Sequence, residues 1–319
     1  MSPSTLEPAK AGSSSPRSFL ARLWDSDLVA SFFASKTTLV AGLVTLILVL
    51  AAVLAPLIAP TNPFNPATNF LIDSLTPPRF VAGGDPRFLL GTDDQGRDMA
   101  SAILYGLRVS LMIGVLSVLL GGAIGITLGL IAGYAGGWLD AVIMRVADVQ
   151  LTFPAILIAL LLDGVAQALL KNSNREQTAF GVLVVAIGLS FWVQYARTVR
   201  GSTMVEKNRD YVQAARLIGL SPARILLRHI LPNVMGPVLV IATINLAIAI
   251  ITEATLSFLG VGLPPTQPSL GTLIRIGQNF LFSGEWWIVA FPSLTLAVLV
   301  LAVNLLGDWL RDALNPRLK

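Results

Sequence analysis

The sequence predicts an all-α membrane protein with six transmembrane helices. Two observations carry this expectation. Of 319 residues, 54% are hydrophobic and only 13% are charged, with a mean hydropathy of +0.74. Soluble domains carry about 25% charged residues. The few charges are also grouped, and they leave long uncharged stretches between them. A helix needs about 20 apolar residues to cross a bilayer.

The stretches come in order. Residues 37–59 run 23 positions without a charge, and 109–139 run 31. The third, 150–162, is short and must reach back through Asp148, Arg145 and Asp140 to span. Residues 178–196, 230–252 and 286–307 give 19, 23 and 22 uncharged positions. Lys and Arg then set the orientation, because cytosolic segments are enriched in them. With the N-terminus in the cytosol, inside segments hold 15 basic residues and outside segments 7. Seven of the 15 lie between Arg197 and Arg228. Both termini and this basic segment are expected in the cytosol.

The lead before the first span has two parts. Residues 2–16 are rich in Ser and Pro, a composition that does not pack. In 17–36, Phe19, Leu20, Leu23, Trp24, Leu28 and Phe32 recur at helical spacing, with Arg22, Asp25 and Asp27 between them. That pattern suits an amphipathic helix in the membrane interface. A 36-residue lead and a 23-residue span do not fit a cleaved signal peptide.

Segment 60–108 contains Pro60, Pro63, Pro66, Pro77, Pro78 and Pro86, and reads as an irregular outer loop. It includes Leu90-Gly91-Thr92-Asp93-Asp94-Gln95-Gly96-Arg97-Asp98. The acids lack the EF-hand spacing and no Glu closes the loop, so an Asp-rich turn leading into a helix is expected. In the second span Gly121, Gly125, Gly129 and Gly133 lie four apart, a small-residue face for close helix packing. Arg145 and Asp148, three apart, are expected to pair on the third span.

Glu253 is the one acid deep in an apolar context, followed by Ser257 and then Gly260-Val261-Gly262-Leu263-Pro264-Pro265, which must leave the helix. An intramembrane carboxylate points to function by default. Glu253 and Ser257 either line a translocation path or gate, or sit hydrogen-bonded in a helix interface near the outer surface.

Absences exclude several activities. There is no cysteine, hence no disulfide or thiolate metal site. The single histidine, His229, has no companion ligand. No catalytic constellation and no metal site are expected, and no nucleic-acid partner. None of the five lysines follows a glycine, so no phosphate-binding P-loop can form and this chain needs no cofactor of its own.

The basic segment has its own grammar. Residues 210–233 read as a short helix, a break and a second helix. Gly219 suits the left-handed position past a helix end. Ser221 can cap the next helix, Pro222 fits its first turn, and Pro232 should kink or end it at the membrane. Tyr211, Ala214, Ala215 and Ile218 share one helical face, a docking surface for a partner.

Three motifs also carry a resemblance. Gln213-Ala214-Ala215, Gly219 and Leu231-Pro232 hold the places of the EAA loop of inner-membrane permeases of ABC importers, with Gln213 where Glu is usual. The segment Gly91–Asp98 is similar to one found in the dipeptide, oligopeptide and nickel branch, as are Glu253 and Leu256-Ser257-Phe258-Leu259-Gly260. The resemblance implies a type I ABC importer permease in a bacterial or archaeal inner membrane. It would divide into a cytosolic lead (1–36), a first span (37–59), an outer loop (60–108), a five-helix core (109–307) with a coupling loop at 197–229, and a cytosolic tail (308–319). It implies pairing with a homologous permease, two cytosolic ATPase subunits that bind ATP and magnesium, and an extracytoplasmic solute-binding protein. Tyr211, Gln213, Ala214, Ala215, Ile218, Gly219, Leu231 and Pro232 would then couple to the ATPases. An ion-gradient-driven transporter or channel is the rival, but it would want more intramembrane ionisable groups.

Overall fold

The structure, a computed structural model, describes residues 27–65, 69–169 and 175–314. Residues 1–26 of the expected interfacial lead and the tail residues 315–319 lie outside them. The described residues form helices and loops, with one isolated antiparallel bridge between Thr92 and Asp98.

Helix α1 (Asp27–Ala34) ends at Ser35, whose hydroxyl accepts from the Thr38 N–H at 3.3 Å and starts α2 (Lys36–Val53). A short α3 (Ala55–Ile58) leads into the outer loop. Asp98 caps α4 (Met99–Ala135), accepting from the Ser101 N–H at 2.8 Å. Next come α5 (Gly137–Leu151), α6 (Ala155–Leu169) and α7 (Arg175–Glu206). The basic segment 210–233 forms an elbow containing α8 (Asp210–Leu217) and α9 (Pro222–Ile225). Then follow α10 (Leu231–Phe258), α11 (Leu270–Gln278) and α12 (Trp287–Ala313).

Among the described residues, five helices are long and apolar enough to cross a membrane, six if the bent pair α5 and α6 counts as one span and not as a re-entrant loop. That pair departs from the sequence expectation. It is not one continuous helix: α5 and α6 meet at 95° across a break that ends at Pro154. A helix usually stops before a proline, whose ring disfavours the α conformation of the residue preceding it.

The expected Arg145–Asp148 pair is also corrected. Asp148 instead pairs with Arg197 of α7, and Arg145 points outward, exposed. Pro232 likewise does not end its helix. A π turn over Leu226–Ile230, closed by the Leu231 N–H onto the Leu226 carbonyl, widens the backbone just ahead of Pro232. In a regular α-helix the Pro232 ring would clash with the carbonyl four residues back. The helix therefore continues from Pro222 through Phe258.

The glycine face of α4 packs on α7, as its spacing predicts. A Cβ on Gly125 would lie 2.4 Å from the Trp192 carbonyl oxygen, and one on Gly129 would lie 2.6 Å from that of Ala196. Only glycine permits such backbone contact. The loop between α3 and α4 closes over the starts of α4 and α12: the Trp287 indole N–H donates to the Thr92 carbonyl at 3.0 Å. On the opposite face, the Trp309 indole donates to Ser31 Oγ at 2.9 Å and its ring meets Phe32 edge-on. The start of the first span and the end of the last therefore share one side. The ends of α4 and α7 also meet each other, through Lys207 Nζ and the Gly133 carbonyl at 2.7 Å.

Candidate functional site

The elbow is built on one sharp turn. Helix α8 ends at Ile218, and Gly219 follows with φ +79°. The Gly219 N–H donates to the Arg216 carbonyl at 3.0 Å and the Leu220 N–H to that of Ala215 at 3.1 Å. These two bonds satisfy carbonyls that the helix end would otherwise orphan. Ser221 takes the cap position of α9 in extended conformation, but its hydroxyl caps no N–H; Pro222 fills the first helical position.

The elbow is moored to three spans. The Tyr211 hydroxyl donates to Glu206 at the end of α7 at 2.6 Å and accepts from Asn233 Nδ2 of α10 at 3.1 Å. Burial, and then the neighbouring Glu206 carboxylate, raise the Tyr211 phenol above its ordinary pKa. The Arg216 guanidinium stacks over the Tyr134 ring of α4, 5.1 Å from its centroid. Gln213 Nε2 donates to the Lys207 carbonyl at 3.4 Å.

The outward face of α8 differs from the expected one. Ala215 is buried with Val212, at 4% and 0% exposure. Val212 and Ala215, three apart, make the inner face of the helix and pack in the core. Tyr211, Gln213, Ala214 and Ile218 are exposed. Leu217, which was not part of the expected face, is 88% exposed, beside Ile218 at 75%. The turn itself carries the missing signal. Leu220, just past the glycine, packs back against the core, so the two apolar residues before the glycine are left outside. Leu231 is partly buried and Pro232 exposed.

Glu253 and Ser257 lie elsewhere, fully buried between α4, α10 and α11. Ser110 Oγ donates to Glu253 Oε2 and Ser257 Oγ to Oε1, each at 2.7 Å, and Ser269 adds a third hydroxyl. Ser110 itself accepts from the Leu270 N–H at 3.3 Å, which leaves its proton free for the carboxylate. Ser269 is the N-cap of α11. The carboxylate thus ties three helices together.

The segment Gly91–Asp98 is a structural lock ahead of α4. Asp93 Oδ2 and Arg97 Nε pair at 2.6 Å, and Arg97 Nη1 reaches the Pro265 carbonyl at 2.7 Å. Among the described residues no group of three or more His, Cys, Asp or Glu is arranged to hold a metal.

Comparison with known proteins agrees with these motifs. The family model for the binding-protein-dependent transport system inner membrane component matches residues 125–319. A second, for the N-terminal TM domain of oligopeptide transport permease C, matches residues 22–78. The chain is 40% identical over 289 residues to the di/tripeptide transport system permease protein DppC of Pseudomonas aeruginosa (strain UCBPP-PA14), covering 91% of each chain. It is 42% identical to the dipeptide transport system permease protein DppC of Escherichia coli (strain K12), covering 90% of this chain and 92% of that one. It is 38% identical to the glutathione transport system permease protein GsiD of Pectobacterium atrosepticum, covering 90% and 89%. Among solved structures, an inward-facing MetNI methionine ABC transporter matches with TM-score 0.53 at 20% identity, over 68% of this chain and 98% of that one. That likeness shows the fold, the type I ABC importer permease architecture. The chain therefore belongs to the family of binding-protein-dependent transport system inner membrane components, the membrane permeases of ABC importers.

Proposed function

We propose that this permease imports di- or oligopeptides across a bacterial or archaeal inner membrane, with both termini in the cytosol. A homologous permease completes the path. An extracytoplasmic binding protein delivers solute, and two cytosolic ATPase subunits, which carry ATP and magnesium, dock on the elbow. The relatives named for di/tripeptide and dipeptide transport support the solute class. The basic bias supports the orientation.

The observation that carries the coupling role is the Leu217–Ile218 tip. Two large apolar residues, 88% and 75% exposed, stand on a short polar helix. That helix is fixed rigidly to the ends of α4, α7 and α10. An exposed apolar tip on a rigid helix suits insertion into a partner's groove, where a few anchors hold most of the binding energy. Tyr211, Gln213, Ala214 and Gly219 surround or orient that tip; Ala215, Leu231 and Pro232 act only by holding the elbow's shape.

The test is uptake into membrane vesicles that carry all the subunits. Dipeptide uptake should require ATP and binding protein, and should persist when the ion gradients are collapsed. Uptake driven by a proton or sodium gradient without ATP would overturn the reading.

A further inference from the structure

The arginines at the cytosolic end of α7 are not needed for the elbow's own shape, yet both are engaged. Arg200 grips Asp140 of α5 with two nitrogens, Nε on Oδ1 and Nη2 on Oδ2, the latter at 2.6 Å. Arg197 pairs with Asp148, two turns further along α5. Higher still, Gln150 Nε2 donates to the Leu189 carbonyl, and the Trp192 indole N–H donates to Gln150 Oε1, both at 2.6 Å. Ala147 is buried in a small cluster with Trp192, Val193 and Ala196. Four polar links thus run as a ladder along one side of α5, every one to α7. Immediately past the top rung the span breaks, and α6 leaves at 95°.

The two ends of this arrangement matter. At its foot, α7 runs into the elbow with three residues between Glu206 and Asp210. At its top lies the break around Thr152 and Phe153, both exposed. The Thr152 and Phe153 N–H groups bond back to the Val149 and Gln150 carbonyls, each at 3.1 Å, so the break is a tight turn between two helices.

We propose that Arg200 and Arg197 are positioning residues for transport: they clamp α5 to α7, so that movement of the elbow reaches the break between α5 and α6. This rests on the elbow being the ATPase docking site. α5 and α7 move as one body, and the turn from Leu151 to Pro154 takes up the difference. A planar guanidinium held at two points by a carboxylate fixes orientation as well as distance. That is the property a mechanical link needs.

The test uses the assembled complex in proteoliposomes, with peptide imported per ATP hydrolysed as the readout. Arg200→Ala should leave the ATPase subunits bound and binding-protein-stimulated hydrolysis near wild type. Peptide per ATP should fall about two- to fivefold, the range for losing a partly exposed charge pair. The reversed pair, Asp140→Arg with Arg200→Asp, should recover most of the loss, which a general packing defect would not. Because the chain has no cysteine, Asp140→Cys with Arg200→Cys can be bridged by a short dithiol-reactive linker. The unbridged variant should be poorly coupled and the bridged one restored, and this comparison decides if Arg200→Ala fails to assemble. Wild-type coupling in Arg200→Ala, or no recovery on bridging, overturns the clamp. Loss of bound ATPase in Arg200→Ala also overturns it, because the residue would then serve docking. If the tip variants of the elbow leave ATPase docking intact, the docking reading fails by itself, whatever the clamp variants do.

Discussion

Asp93 and Arg97, in the loop ahead of α4, form an ion pair with side chains 0% and 1% exposed, Oδ2 to Nε at 2.6 Å. Asp93 also accepts from the Arg97 and Gln95 backbone N–H groups, each at 2.9 Å. Removing one partner of a buried pair leaves the other charge uncompensated, at about 3–5 kcal/mol. Asp93→Ala should therefore lower the thermal midpoint and folded yield of the purified permease, while Asp85→Ala, in an exposed pair with Arg87, should change neither. Thermal unfolding of both variants in detergent checks this.

Gly125 is expected to be the least replaceable residue of the second span. A Cβ there meets the Trp192 oxygen at 2.4 Å, the Tyr195 Cβ at 2.5 Å and the Ala196 nitrogen at 3.0 Å. Overpacking of this kind costs about 1–3 kcal/mol, and more when backbone blocks the way. Gly125→Val should separate α4 from α7 and reduce assembled complex. Gly164→Val, where no atom lies within 4 Å of the added Cβ, sets the control for open space. Size-exclusion yield of the two variants is the measurement.

Glu253 is expected to behave as a strut. Glu253→Ala leaves three serine hydroxyls without their acceptor and opens a gap, and should lower folded yield sharply. Glu253→Gln keeps the volume and one acceptor oxygen, and should be milder. In both, transport per assembled molecule should stay close to wild type. A normal yield with transport abolished in Glu253→Gln would instead place the carboxylate on the solute path.

Much of this was legible in the sequence, and the misses have physical reasons. The glycine ladder, the Asp-rich turn and the Gly219 bend were readable because each rests on local backbone geometry. The Arg145–Asp148 pair was misread because spacing shows which residues can meet on one helix, not which competitor waits on the next. Arg197 and Arg200 were counted only as basic residues, and their partners on α5 depend on how two helices dock. The inward turn of Ala215 had the same origin: four residues shared a plausible face, and the burial of Val212 rotated the helix away from it. Glu253 was left between two roles because sequence fixes depth but not neighbours, and the serines that surround it come from three separate segments.

Gly219 sets the aim of the elbow. Its φ of +79° costs most residues with a Cβ about 1–2 kcal/mol, Asn being the main exception. No atom lies within 4 Å of an added Cβ, so the penalty is conformational and not steric. Gly219→Val should displace the tip without unfolding the spans, and Gly219→Asn, which tolerates this conformation, should be close to wild type. Binding-protein-stimulated ATP hydrolysis of the two complexes separates them.

The docking claim is tested most directly at the tip. Leu217→Glu with Ile218→Glu alters two outward side chains that contribute nothing to the permease core, so the membrane part should assemble with unchanged thermal stability, within about 0.5 kcal/mol. Two acids in an apolar groove should remove a contact of about 2 kcal/mol or more, which is some thirtyfold in affinity. Co-purification of the ATPase subunits with the tagged permease should therefore fall to a few per cent of wild type. Retention of the ATPase at wild-type levels in the double variant, with stimulated hydrolysis intact, would contradict the assignment of this elbow as the coupling site.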